Sequence, residues 1–462
     1  MPVTIPQMQA WLEKLLGQHP DETNIPLEDY VQQVPKLESL AQIAGGTPVL
    51  VRGDVDCKPG ANIGDGDVRL RSMLDSLRFG QECGWKQIIF GHIGRDPQGS
   101  LSKVQQRLAE LLEREVALVE NWLDEDSLEI TAEFSSAVES CPSGGFVLLE
   151  NTRKYAIERA LWKAKPDSIP ELAPQLAQLA NSLASIAPVY VNEAFSAGSL
   201  DASSTVVPAA MEHAALGHYV TQEFAGPVLR CRNASLVVFS GLKTDKLDDL
   251  EAIINRGKAR MVIAAGSLAM ALLKGTALLD GQDCCLGVAE NREHADKPYY
   301  IPPARIDQAK QMIAAGRQKG VEFVLPVDFV LADSSIAHAI PADGQQLDVG
   351  PATSDHFARK VAEFLDGSFL EGSAERVAFH NGVFGKFEDP AFEEGTRKFV
   401  RQLKKMKDAG AEVYVGGGEG GKALEKYGTP DWVTHCFTAG GTVLNALGNE
   451  PVPYLLALKL AS

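Results

Sequence analysis

Short apolar, β-branched runs recur along the chain, and each gives way at once to glycine, small polar or charged residues and then to a helix-spaced pattern. In the first half the runs are PVLVR (48–52), QIIFG (87–91), FVLLE (146–150) and PVYVN (188–192). In the second they are SLVVFS (235–240), RMVIAAG (260–266), FVLPVDFVLA (323–332), RVAFHNG (376–382), VYVGGG (413–418) and HCFTAGG (435–441). Unbroken apolar runs fit strands buried on both faces. Between them SLSKVQQRLAELLEREV (100–116), ELAPQLAQLANSLASI (171–186) and GTRKFVRQLKKMKDAG (395–410) each carry one apolar face at helical spacing. The pattern predicts an α/β protein of two doubly wound, Rossmann-like parallel-sheet domains. VVPAAMEHAALGHYVTQEF (206–224) reads as a helix linking the sheets. The expected division is therefore an N-terminal domain over 1–205, with 1–45 as an extension, a hinge over 206–234 and a second domain over 235–450.

A chain of 462 residues is long enough for two such domains, each with its own core. Lys and Arg total 44 against 61 Asp and Glu, a formal charge of −17, so the surface field repels phosphodiester backbones and anionic lipid. Neither nucleic acid nor membrane is an expected partner. The N-terminus lacks a basic segment followed by an apolar one, and no 18-residue apolar run occurs, which predicts a soluble, cytoplasmic protein. Seven cysteines without metal-ligand spacing read as buried thiols in a reducing compartment.

In open parallel sheets ligands sit beyond the carboxyl ends of the strands, and there the two halves differ. The early strands are followed by Arg52, Asp54 and Asp56, by His92 and Arg95, by Glu150, Asn151 and Arg153, and by Asn192 and Glu193. The later ones are followed by Gly241 with Lys243 and Lys246, then by Gly266, by Gly382 with Gly385, by Gly416–Gly418, and by Gly440 with Gly441. Guanidinium forks suit a small oxyanion. Glycines at strand-to-helix turns leave N–H groups free for the phosphates of a bulkier ligand. One half is thus expected to hold a small anionic substrate and the other a nucleotide.

VYVGGGEGGKALEK (413–426) contains both GxxxxGK and GxGxxG spacings. A P-loop requires Ser or Thr after its lysine, where Ala423 stands, and a dinucleotide fold requires an acid at the next strand end, where Cys436 and Thr438 stand. What remains is a glycine turn whose Glu419 is positioned to meet a phosphate-bound Mg²⁺.

Many motifs in fixed order carry a resemblance to the phosphoglycerate kinase family from about residue 46 to the C-terminus. VLVRGDVD resembles VRVDFN, GHIGRDPQGSLS resembles SHLGRPxG, LLENTRK resembles LLENxRF, and YVNEAFSAGSLDASS resembles YVNDAFGTAHRAHAS. FSGLKTDK, LPVDFV, DVGPAT, FHNGVFGKFE, FEEGT, VGGGEGGKALEKYG and TAGGTVLNAL resemble the family's later motifs in turn. The resemblance implies a monomer with a hinge, a phosphorylated three-carbon acid on the first domain, Mg-ADP or Mg-ATP on the second, and a C-terminal segment, 451–462, that returns to the first. On the substrate side it implies Asp54 as hydroxyl acceptor, Asp56 at a position where the family has Asn, Arg69 nearest the reaction, and His92, Arg95 and Arg153. On the nucleotide side it implies Lys243 at the phosphoryl in flight, Lys246 at the nucleotide phosphates, Glu388 at the ribose, Glu419 at the metal, and Gly266, Asn381, Gly417, Gly418, Gly440 and Gly441 around the phosphates. Arg69, Lys243 and Lys246 are the expected catalytic residues.

The departures from the family pattern cluster at the ligands. Ser199 and Leu200 stand where the family has His and Arg, Asp56 adds an acid, Asp75 and Ser76 replace Pro-Thr, and Lys243 to Lys246 is one residue short. Glu419 replaces Asp, Phe437 replaces Ser, and AAG (264–266) replaces a GGG turn. A divergent phosphotransferase and an impaired or differently specific paralogue are both compatible with this pattern.

Overall fold

Strands β1 (Pro48–Gly53), β2 (Lys86–Phe90), β3 (Val116–Val119), β4 (Phe146–Leu149), β5 (Val189–Glu193) and β6 (His213–Leu216) form one sheet in the order β3–β4–β2–β1–β5–β6. All pairings are parallel, with Leu50 opposite Ile88 on one side and Tyr190 on the other. The central strands are buried nearly end to end, as their unbroken apolar runs require. Val49, Val51, Ile89, Leu148 and Val191 pack with Leu70, Leu77, Val104 and Leu108 from the covering helices.

This sheet belongs to one of two units in the computed structural model, which describes residues 2–60, 66–241, 246–367, 375–448 and 451–462. The first unit is Met1–Gly226 with Glu450–Ser462, and the second is Pro227–Asn449. In the first, the helix Ile5–Leu15 is started by a reciprocal cap between Thr4 and Gln7 and buries Met8 and Leu12 completely. Trp11 Nε1 donates to the Thr205 carbonyl (2.9 Å), and the Val3 N–H donates to Asn181 Oδ1 (2.8 Å) on the helix Ile169–Ala184. The C-terminal helix Pro453–Ala461 buries Tyr454, Leu455, Leu456 and Leu458 in the same unit, with the Tyr454 ring edge-on to Phe224.

In the second unit β7 (Leu236–Gly241), β8 (Met261–Ala265), β9 (Glu322–Val324), β13 (Val377–Asn381), β14 (Glu412–Gly416) and β15 (His435–Cys436) form a parallel sheet in the order β15–β14–β13–β7–β8–β9. Three short strands, β10 (Phe329–Leu331), β11 (Ile336–Ala337) and β12 (Gln346–Val349), make a separate antiparallel sheet. The core joins Val238, Ile263, Val413 and Val415 to a ring cluster of Phe357, Phe384 and Phe399.

Four expectations are corrected. The stretch 206–224 is not one helix: Val207–Ala210 is a 3₁₀ turn, His213–Leu216 is β6, and only His218–Glu223 is α-helical. Pro208 and Gly217 break the helical path, and the edge of β5 offers parallel partners to the residues between. The helix expected to reach 116 ends at Leu112, where Glu113 turns left-handed (φ 52°), and Val116 opens β3. FVLPVDFVLA is two strands in different sheets, split at Pro326, which has no N–H to give a ladder. The seven thiols are free, yet only Cys141 and Cys231 are buried and Cys285 is exposed. Among the described residues no helix is long and apolar enough to cross a membrane.

Candidate active site

In each unit the chain crosses from one side of the sheet to the other beside its first strand, β1 next to β5 and β7 next to β13, and the predicted residues gather there. On the first unit Arg52, at the end of β1, is almost fully buried, and each of its three nitrogens has a partner. Nε donates to Ser203 Oγ (2.8 Å), Nη1 to the Gly53 carbonyl (2.8 Å), and Nη2 to His92 Nδ1 (2.9 Å). Because His92 Nδ1 accepts from a guanidinium, the ring proton resides on Nε2. Burial and the positive charges of Arg52, Arg153 and Arg69 push the His92 pKa well below its usual value, so the ring is neutral.

Asp54 is buried and held by Ser196, whose hydroxyl (2.6 Å) and N–H (3.2 Å) both donate to it. Arg69 lies between two acids, with Nε 3.7 Å from Asp54 and Nη1 2.9 Å from Asp56. Asp56 also accepts from the Gly94 N–H (2.8 Å), which ties the turn after β2 to the turn after β1. Arg153 is buried, donates to the Gly94 carbonyl (2.6 Å) and lies with its guanidinium 4.8 Å from the centre of the Trp162 ring. Its Nε is buried with no partner. Asp54, Asp56, Arg69, His92 and Arg153 are thus brought together as expected from the sequence. Arg95 is not: it is exposed on the loop after β2.

Several members of this cluster were assigned no role from the sequence. In the sequence Arg52 reads only as one of the cations after the early strands, and its contacts depend on Ser203 and His92. Glu158 is buried and accepts from Thr152 Oγ1 (2.9 Å), the Ser203 N–H (2.9 Å) and Ser203 Oγ (2.6 Å). Burial and the nearby Asp201 raise its pKa. Asp201 is fully buried, accepts from Trp162 Nε1 (2.7 Å) and pairs with Arg153 Nη2 (3.4 Å) and Arg52 Nη2 (3.7 Å). An acid where the resembling motif has Ala was the available signal.

On the second unit two glycine turns come together. Gly417 begins the helix Gly417–Tyr427 at φ +82°, and a Cβ there would stand 3.0 Å from Gly440 Cα, at the start of the helix Gly440–Leu447. A Cβ on Gly440 would stand 2.9 Å from Asn381 Nδ2, which donates to the Gly416 carbonyl (3.3 Å). Lys246 Nζ reaches Asn381 Oδ1 and the Ser240 carbonyl, both at 3.2 Å. Gly266, at φ +66°, opens the helix Gly266–Leu279, and its Cβ would stand 2.9 Å from the Gly241 carbonyl. Gly418 and Gly441 are exposed, with nothing within 4 Å of a Cβ. A lysine and the first turns of two helices therefore converge on one spot, an arrangement that attracts phosphate. Glu419 is exposed in the first turn of Gly417–Tyr427, beside this spot. Glu388 is exposed on the loop after β13, and no hydrogen bond joins it to the glycine turns among the described residues. Lys243 lies outside the described residues.

The family model described as phosphoglycerate kinase matches residues 41–450. The chain is 31% identical over 442 residues to phosphoglycerate kinase of Synechococcus sp. strain JA-3-3Ab, covering 90% of this chain and 96% of that protein. It is 29% identical over 436 residues to the cytosolic phosphoglycerate kinase of Triticum aestivum, with the same coverage. The crystal structure of phosphoglycerate kinase from Pyrococcus horikoshii OT3 is similar with a TM-score of 0.70 at 21% identity, covering 92% of this chain and 99% of that one.

Proposed function

Because the chain belongs to the phosphoglycerate kinase family, we propose that it moves a phosphoryl group reversibly between an adenine nucleotide and the carboxylate of a small phosphorylated acid. In one direction 3-phosphoglycerate and ATP give 1,3-bisphosphoglycerate and ADP. The observation that carries this reading is the convergence of Lys246, Asn381 and the turns at Gly417 and Gly440, where any side chain would collide.

The nucleotide phosphates lie against the free amides of Gly417, Gly418, Gly440 and Gly441, and Lys246 neutralises part of their charge. Glu388 takes the ribose, and Lys243 takes the phosphoryl group in transit. Mg²⁺ keeps most of its waters and binds through one or two carboxylates plus substrate phosphates. The exposed Glu419 beside the open Gly418 fits that requirement. When bound, the ion spreads the negative charge of the phosphates.

On the first unit Asp54 accepts the hydroxyl of the acid, Arg69 orients its carboxylate, and Arg153 and His92 take its phosphate. Transfer through a loose, metaphosphate-like state needs little covalent assistance. The protein contributes in-line placement at about 3–3.5 Å and positive charge from Arg69 and the lysines.

A coupled assay of ATP consumption with 3-phosphoglycerate tests the reading. Lys246→Ala removes a charge-assisted contact worth about 1.5–3 kcal/mol, so the KM for Mg-ATP should rise roughly tenfold to a hundredfold. A wild-type protein that neither turns over nor is stabilised by millimolar Mg-ADP would refute it.

A further inference from the structure

Three guanidinium groups, Arg52, Arg69 and Arg153, face four carboxyl groups, Asp54, Asp56, Glu158 and Asp201, and the histidine among them is neutral. The cluster therefore carries no surplus positive charge for a phosphate. Asp201 is the acid that compensates the deepest part. Its carboxylate is fully buried, pairs with Arg153 and Arg52, and is fixed by the indole N–H of Trp162. His92 Nδ1 lies 3.5 Å from it. The N–H groups of Arg52, Arg153 and Trp162 are the donors that a tetrahedral oxyanion would otherwise use. Arg153 in addition keeps one buried donor, Nε, without a partner.

We propose that Asp201 is an internal anion occupying the arginine cluster, and that a phosphorylated acid is held there only by displacing it. Asp201 thus sets the affinity of the first unit for the phosphate group of the acid while leaving its carboxylate and hydroxyl contacts untouched. The inference rests on the assignment of this unit to the acidic substrate. It identifies a specificity-determining residue that does not touch the reacting atoms.

The experiment is calorimetric titration of 3-phosphoglycerate and of glycerate, the same acid without phosphate, into the full chain and into Asp201→Asn. Asparagine keeps an oxygen for the Trp162 N–H but removes the charge. The expected result is that 3-phosphoglycerate binds the variant at least about tenfold more tightly, while the glycerate constant is unchanged. Equal shifts for both acids, or none for either, would overturn the proposal. Trp162→Phe keeps a ring over Arg153 and removes only the indole donor, so it should tighten 3-phosphoglycerate in the same selective way should Asp201→Asn not fold. A parallel titration with Mg-ADP reports on the phosphotransfer reading alone. Its failure in the wild-type chain would count against that reading, and the contrast between the two acids would still decide the role of Asp201.

Discussion

Glu193 closes β5 inside the first unit, accepting from Ser76 Oγ (2.8 Å) and the Tyr219 N–H (3.0 Å). Its burial outweighs those donors and pushes its pKa up to about 8. Below the usual glutamate value of about 4.3 both folded and unfolded chains hold the proton. Between there and about 8 only the folded chain does, so rising pH favours unfolding, and above that window the effect is complete. Urea unfolding from pH 5 to pH 8 should therefore show stability falling with pH in the wild type and falling less in Glu193→Gln, by a difference on the order of 4 kcal/mol across the window. Parallel slopes would contradict the assignment. At this scale the sequence revealed Asp54, Asp56, His92 and Arg153 because each follows a strand end within a motif, whereas Arg69, on the helix Val68–Ser72, came from the family resemblance alone. Asp201 was not legible, since its meaning arises only when the segment after β5 is folded beneath Arg52 and Arg153. Arg95 and Glu388 show the converse: their motifs are intact, yet their side chains are exposed and outside the clusters.

Secondary elements were legible where apolar runs were long and continuous and obscure where they were short. HAAL in β6 reads as helix by composition, and only the free edge of β5 makes it a strand. The N-terminal helix Ile5–Leu15 lies outside the resemblance, and the structure gives it a plain role in covering the helix Ile169–Ala184. Leu12 is fully buried there. Leu12→Ala should lower the unfolding free energy of the first unit by about 2–5 kcal/mol. Denaturant titration followed by intrinsic tryptophan fluorescence would check it, and a change below about 0.5 kcal/mol would mean that the helix is loosely held.

For the whole chain, the α/β class and two six-stranded parallel sheets followed from alternating strand and helix patterns, whereas the small antiparallel sheet of β10–β12 did not, because its strands are only two to four residues long. The C-terminal helix is the part of the first unit that the chain supplies after the second. Tyr454, Leu455, Leu456 and Leu458 each bury about 1.5–3 kcal/mol of apolar surface, together comparable to the roughly 5–15 kcal/mol net stability of a domain. Deleting 453–462 should abolish cooperative unfolding of the first unit, read by near-ultraviolet circular dichroism, while Mg-ADP still protects the second. Loss of both at once would show that the second unit is not self-sufficient.

The same connection has a consequence for biosynthesis. Residues 453–461 leave the ribosome after the entire second unit, so the half of the chain that is translated earlier has to wait with an open apolar seam until the last helix arrives. The later-made half is contiguous and is free to mature in the meantime. Nascent-chain proteolysis should thus find the order of folding reversed relative to the order of synthesis.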